Sequence, residues 1–386
     1  MSQPPPSSTS ASSSSAPPKP TVLLVGDMRQ AGDHWSSLAS KYNLLSYHTP
    51  GANTRAEFLR RLREDPSWQA IVGCYRSNHS TSVTGPFDAE LVALLPKGWR
   101  FIAHLGAGYD NIDVRACTAR GIAVSNTPGA VDDATADAGI FLMLGALRRA
   151  GPAIAAIKAG TWRGGGGAGG GAVAVKGHGP KGKVLGILGM GGIGRAMACR
   201  AVGFGMDVVY HNRNRVSDGL EYLGATTDGH SGQTKEHRAR YVSFDELLAS
   251  ADVLSLNLAL NESTRGIISA AELARLKKGA VVVNTARGAL IDESALVDAL
   301  ESGRVSAVGL DVFEKEPVVH PGLLASDRAF LLPHVGTMTW ETELEMEMLT
   351  IRNLEAAVDT GKLLTLVGEQ KGLGWAEGEG EGEGKA

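Results

Sequence analysis

With 386 residues, 43% of them hydrophobic and 20% charged, the chain is long enough for two domains of ordinary size. A net charge of −3 with no basic run gives no reason to expect a nucleic acid partner. The longest strongly apolar run, around 140–147, falls far short of the ~20 residues that cross a bilayer, so no membrane partner is expected.

The first twenty residues are Ser/Pro-rich with a single Lys19, and read as a disordered tail without signal or transit features. From Thr21, apolar runs alternate with amphipathic stretches. "TVLLV" (21–25), "NLLSY" (43–47), "AIVG" (70–73), "FIAHL" (101–105) and "IAV" (122–124) read as buried strands, with helices at 54–64 and 88–95 between them. That alternation implies a parallel sheet covered by helices. "DDATADAGIFLMLGALRR" (132–149) opens on acids and closes on arginines, a helix that leads out of the first domain.

A glycine run at 164–171 and a polar stretch at 226–238 read as mobile surface loops. A second alternating series begins near Lys183. "KVLGIL", "MDVVY", "DVLSLN", "AVVVN", "SAVGLD" and "AFLLP" are its strand candidates, which makes two α/β domains. A late helix over 338–359 returns the chain to the first of them, and 367–386 reads as a second low-complexity tail. Cys74, Cys117 and Cys199 lie far apart with no ligand spacing. They suit a reducing, cytoplasmic setting and suggest no metal.

Gly189, Gly191 and Gly194 form G-x-G-x-x-G between a strand and a helix. The first glycine permits a tight turn, the second a close approach of backbone to a pyrophosphate, and the third close packing of helix on strand. About 20 residues on, Tyr210 ends the next strand. An acid there would bind the adenosine ribose of NAD. The turn instead carries Asn212, Arg213, Asn214 and Arg215. Guanidinium groups pair with a 2′-phosphate, so NADP(H) is preferred over NAD(H), which remains possible. The other reading of these arginines is a solvated basic turn.

Three later segments, "VNTARGALIDESALVDAL" (283–300), "VGLDVFEKEP" (308–317) and "LLPHVGTMTW" (331–340), each start on a strand and end in polar residues. Ligands of open α/β sheets bind beyond the carboxyl ends of strands, so Arg287, Glu316 and His334 can converge at one edge. With "HLGAGYDNID" (104–113), "NTPGAVDDATAD" (126–137) and the glycine turn, in this order, the chain resembles the D-isomer-specific 2-hydroxyacid dehydrogenases. Its "YHNRNR" and "HVGTMTW" segments are most similar to the glyoxylate and hydroxypyruvate reductase branch.

The resemblance implies a flavodoxin-like substrate domain (21–130 and 336–366), a Rossmann cofactor domain inserted in it (131–335), and a homodimer. It makes Arg287 the substrate-binding arginine, His334 the acid/base and Glu316 its carboxylate partner. The chemistry agrees. A guanidinium can bind the carboxylate of a 2-keto acid and polarise its carbonyl. A histidinium can protonate the oxygen as hydride arrives at carbon, and a carboxylate steadies that imidazolium. By the same resemblance Leu105, Gly106, Ala107 and Gly108 offer backbone N–H groups to the substrate. Thr135, Gly192, Ile193, Thr264, Thr285, Ala286, Asp311, His334 and Gly336 contact the cofactor. Tyr75 and Arg76 are expected in the same cleft, and Trp340 either walls it or sits at an interface. Ala259 stands where the family commonly has proline. The expected substrates are glyoxylate and hydroxypyruvate. The rivals are another 2-keto acid used with NAD, formate or phosphite oxidation, and a cofactor-sensing co-repressor.

Overall fold

The computed structural model describes residues 18–48, 54–161, 176–227 and 232–377. Two parallel sheets form the core. The first contains β1 (Thr21–Val25), β2 (Asn43–Tyr47), β3 (Ile71–Ser77), β4 (Phe101–Leu105) and β5 (Ala123–Ser125), in the order β2-β1-β3-β4-β5. The second contains β6 (Val184–Leu188), β7 (Asp207–His211), β10 (Arg240–Tyr241), β11 (Val253–Leu256), β12 (Ala280–Asn284), β13 (Val305–Leu310) and β14 (Ala329–Leu331), in the order β10-β7-β6-β11-β12-β13-β14. The inner strands of both sheets are covered on two faces, which is why they read as unbroken apolar runs, while the edge strand β2 is partly exposed. β12, "AVVVN", is buried at every position. In the second sheet the chain reverses its direction of winding between β6 and β11, and the glycine turn sits at that crevice.

The helix Asp132–Leu147 carries the chain from β5 to the second sheet, where it packs on β12 and β13. Its first turn holds Asp132 and Asp133, favourable against the positive end of the helix dipole. Close packing there depends on small residues: a Cβ on Gly309 of β13 would press on the Leu142 backbone. The helix Trp340–Thr360 starts on a Thr339 cap and ends at Gly361 in a left-handed conformation. Its Ile351, Leu354 and Ala357 are fully buried, and the helix packs on β3 and β4.

Two readings of surface segments change. The 226–238 stretch is no loop: β8 (Tyr222–Thr227) and β9 (Thr234–Arg238) form an antiparallel hairpin, with 228–231 outside the described residues. Its cross-strand bonds, such as the Thr226 hydroxyl with His237 Nε2 at 2.7 Å, join polar side chains. No apolar alternation therefore marks it in sequence. The 164–171 run lies outside the described residues, as do 1–17 of the first tail.

The second tail does not begin at 367. Leu366 bridges Ser125, and Val367 donates its N–H to the Val124 carbonyl, so this segment lines the open edge of β5. Gln370 is wholly buried. Its Oε1 accepts from Val124 N at 2.8 Å, and its Nε2 donates to the Ile122 carbonyl at 2.9 Å. Polar "GEQKG" hid this role, because the Gln370 side-chain amide holds the segment together with the buried Val367 before it. Gln370→Ala leaves two main-chain groups unpaired, at a cost of about 1–3 kcal/mol. A thermal melt should show the midpoint lowered, and an unshifted midpoint would contradict the strap role.

Candidate active site

The carboxyl ends of both sheets open onto one cavity of about 1450 Å³. From the first sheet it is walled by residues 105–108. From the second it takes 191–193, 285–287, Asp311, Glu316, His334 and Gly336, with Thr135 from the connecting helix.

His334 follows β14 with φ 56, a left-handed conformation that a side chain rarely adopts. Asp311, at the end of β13, imposes it. The Asp311 carbonyl accepts from His334 N at 2.7 Å, and its carboxylate accepts from Val335 N and Gly336 N at 2.8 Å each. Burial pushes the Asp311 carboxyl above its usual range, and the two N–H donors and nearby His334 offset only part of that. Although Asp311 lines the cavity, its carboxylate is spent on this loop.

Glu316 orients the imidazole. Its Oε2 lies 2.8 Å from His334 Nδ1, and its Oε1 accepts from Phe313 N at 3.0 Å. A carboxylate accepts only, so Nδ1 carries the proton and Nε2 is the nitrogen left for exchange. Burial raises the Glu316 carboxyl. The His334 bond, the Phe313 N–H and the charges of His334 and Arg287 together outweigh it, and the group lies below its ordinary value.

Arg287 comes from the turn after β12, where buried Asn284 accepts from Ala286 N and donates to the Arg287 carbonyl. Its Nε donates to Asp110 Oδ1 at 2.8 Å and its Nη1 to the Ala286 carbonyl at 2.8 Å. Its Nη2 packs on Gly108, where any Cβ would overlap it. The 105–108 loop lies beneath with its carbonyls tied back. Gly106 O accepts from Thr127 N, Ala107 O from the Asn126 amide at 2.7 Å, and Gly108 O bonds to His104. Gly106 N is used as well, donating to Thr127 Oγ1 at 3.1 Å. Of the expected substrate donors, then, Gly106 is committed internally. The N–H groups of Ala107 and Gly108 have no acceptor among the described residues.

The glycine turn suits a dinucleotide. Gly189 has φ 103, and a side chain there would fall on Asn257. One on Gly194 would fall on the Gly189 carbonyl, so both glycines shape the turn and do not line the cavity. Gly191 lines it, with no atom near the place a side chain would begin. The helix Gly192–Gly203 has no side-chain cap, which leaves its first N–H groups for phosphate oxygens.

Other expectations need correction. Asn212 Oδ1 accepts from Met190 N at 2.6 Å, tying the glycine turn to β7. Arg215 is held in a bidentate pair by Glu221, at 2.7 and 2.6 Å, and is not free for a phosphate. Arg213 is exposed, with no hydrogen-bond or ion-pair partner among the described residues. The Thr264 hydroxyl bonds the Ala259 carbonyl at 2.7 Å and Asn261 N at 2.8 Å, so Thr264 shapes a turn while residues 257–262 line the cavity. Tyr75 and Arg76 have no exposed surface and stand behind the wall. Trp340 is 75% exposed and outside the cavity, where Met338 stands instead. Asp110 joins the site from inside "HLGAGYDNID", where the glycines dominate the pattern and nothing in the spacing singles out the acid.

This fold and site define an NAD(P)-dependent oxidoreductase. Residues 140–336 match the family model of the D-isomer specific 2-hydroxyacid dehydrogenase NAD binding domain. The chain is 54% identical over 352 residues to 4-methyl-2-oxopentanoate reductase A of Aspergillus oryzae, covering 91% of this chain and 99% of that one. The crystal structure of a glyoxylate reductase from Paecilomyes thermophila superposes with a TM-score of 0.82 at 54% identity, over 92% of this chain and 100% of the other. An NADPH-dependent glyoxylate/hydroxypyruvate reductase from Sinorhizobium meliloti, in complex with NADP and malonate, gives 0.74 at 28% identity, over 91% and 97%. The chain belongs to the D-isomer specific 2-hydroxyacid dehydrogenase family.

Removing the Asp311 carboxylate should release His334 from its strained conformation. Asp311→Ala is expected to lower kcat about 100-fold through misplacement of the imidazole, with circular dichroism unchanged. A kcat near wild type would show that the loop holds itself.

Proposed function

We propose that the chain reduces small 2-keto acids, glyoxylate and hydroxypyruvate first, prefers NADPH to NADH, and uses His334 as its acid/base. The observation that carries this reading is the 2.8 Å His334–Glu316 pair sharing one cavity with Arg287. When bound, the reduced nicotinamide supplies the hydride that the keto carbon accepts. Arg287 binds the substrate carboxylate and polarises the carbonyl, and the Ala107 and Gly108 N–H groups add donors on the loop side. As charge develops on the carbonyl oxygen, His334 Nε2 donates its proton, and Glu316 stabilises the imidazolium before that transfer. In the reverse direction neutral His334 takes the hydroxyl proton.

The cofactor preference is supported by the end of β7, where His211 and Asn212 occupy the place of the ribose-binding acid. Arg213 is the uncommitted cation of that turn. Of the two acids beside Arg215, Glu221 is occupied by Arg215 and by the Tyr210 hydroxyl at 2.6 Å, and Asp218 lies 3.4 Å from Arg215. The Sinorhizobium relative is named as NADPH-dependent.

A second reading, a bulkier aliphatic 2-keto acid, is favoured by the apolar part of the cavity, which Leu105, Met338 and Met346 line. The Aspergillus relative is named for 4-methyl-2-oxopentanoate.

Initial rates with NADPH and NADH against glyoxylate, hydroxypyruvate and 4-methyl-2-oxopentanoate separate these readings. The expected result is the highest kcat/KM on the two small acids, with NADPH ahead. A preference for 4-methyl-2-oxopentanoate would install the second reading, and NADH ahead would overturn the cofactor assignment. Arg213→Ala should raise the KM for NADPH about 10-fold, the worth of one charged hydrogen bond, and leave that for NADH unchanged. Equal effects on both would remove Arg213 from phosphate recognition.

A further inference from the structure

β3 carries a cation into the interior. Arg76 has no exposed surface, and its hydrogen bonds reach neutral groups only. Nη1 lies 3.0 Å from His104 Nδ1 and 3.2 Å from Asn111 Oδ1, and Nη2 lies 2.8 Å from Thr81 Oγ1. Nε has no partner, and the guanidinium carbon sits 4.9 Å from the centre of the Phe87 ring. A buried charge without a counter-ion is costly, and folds normally supply a carboxylate for it.

His104, also wholly buried, connects this cation to the substrate loop. Its Nε2 lies 3.1 Å from the Gly108 carbonyl, which can only accept, so Nε2 bears the proton. Nδ1 is then the lone pair facing Arg76, which can only donate. One neutral tautomer satisfies both ends. Burial, with the charges of Arg76 and Arg287, holds the His104 pKa well below the usual histidine value.

The consequence falls on residues 108–111. Arg76 grips Asn111 directly and Gly108 through His104. Between them Asp110 holds Arg287, whose guanidinium rests on Gly108. With the Gly108 carbonyl drawn toward His104, the N–H groups of Ala107 and Gly108 keep no protein acceptor among the described residues.

We propose that Arg76 and His104 are positioning residues for the substrate carboxylate: together they hold the 108–111 segment so that Arg287 and the two loop N–H groups form a preformed anion site, and Arg76, which shares the Asp110 carboxylate with Arg287 at longer range, adds positive potential behind it. This rests on the reading that the loop and Arg287 receive the substrate carboxylate.

The test measures KM for glyoxylate, Ki for oxalate, KM for NADPH and kcat in His104→Leu, His104→Gln, Arg76→Gln and Arg287→Lys. His104→Leu frees the Gly108 carbonyl, and should raise the glyoxylate KM and oxalate Ki about 10-fold, with the NADPH KM unchanged. Glutamine at 104 can donate to Gly108 and accept from Arg76, so His104→Gln should restore most of that loss. Arg76→Gln removes the buried charge, relieves a folding cost, and should still raise both anion constants. If His104→Leu does not fold, the Arg76→Gln and His104→Gln pair decides. Raised constants in Arg287→Lys with wild-type constants in His104→Leu and Arg76→Gln would overturn the positioning role alone. Wild-type constants in all four would overturn the anion-site reading and the proposal with it. Equal losses in glyoxylate KM, NADPH KM and kcat would assign the pair a general structural role and overturn the proposal.

Discussion

The site depends on one buried carboxylate. Asp311 gathers three consecutive main-chain N–H groups, one on its carbonyl and two on its side chain, and so holds His334 where its φ is unfavourable. A backbone in that region costs about 1–3 kcal/mol and persists only where its surroundings over-determine it. A single turn of chain after β14 thus turns the imidazole toward the cavity and toward Glu316. The ring's orientation and tautomer then follow from one 2.8 Å contact.

The other half of the site is the Arg287 cluster beside the 105–108 loop. Arg287 is held by two neighbours: Asp110 accepts from its Nε, and the Ala286 carbonyl of its own turn accepts from Nη1. Asp110 partly neutralises the arginine and keeps it extended over Gly108. Arg76 lies beneath the loop out of reach of solvent, within the field of the same Asp110 carboxylate. The His334–Glu316 pair comes from the second sheet, and the 105–108 loop from the first. The cavity is complete only where the carboxyl ends of the two sheets face each other.

Much of this is legible in the chain itself. Parallel strands buried on both faces leave plain apolar runs. The glycine spacing reports a turn that no side chain could share. Arg287, Glu316 and His334 stand each after a strand, so topology alone brings them to one edge. What the sequence conceals is hydrogen-bond partnership. Arg215 looks like a phosphate ligand until Glu221 is seen to hold it. Asn212 looks solvent-facing until it is found pinning Met190. Gln370 sits in an unremarkable segment, and Arg76 and His104, though in segments that stand out, face the interior and act through hydrogen bonds that no spacing reports. The hairpin strands 222–227 and 234–238 bury one apolar side chain, Leu223, and are otherwise largely polar, so no periodicity announces them.

Single-turnover hydride transfer from NADPH to glyoxylate in His334→Ala, alongside cofactor binding followed by nicotinamide fluorescence, decides whether the oriented imidazole is the acid/base. The expected rate is lower by about 10²–10⁴-fold, the usual worth of a positioned acid/base, with NADPH bound as in the wild type. A near-wild-type rate would contradict that role, because the Asp311 clamp and the Glu316 contact would then be orienting a ring that takes no part in the reaction.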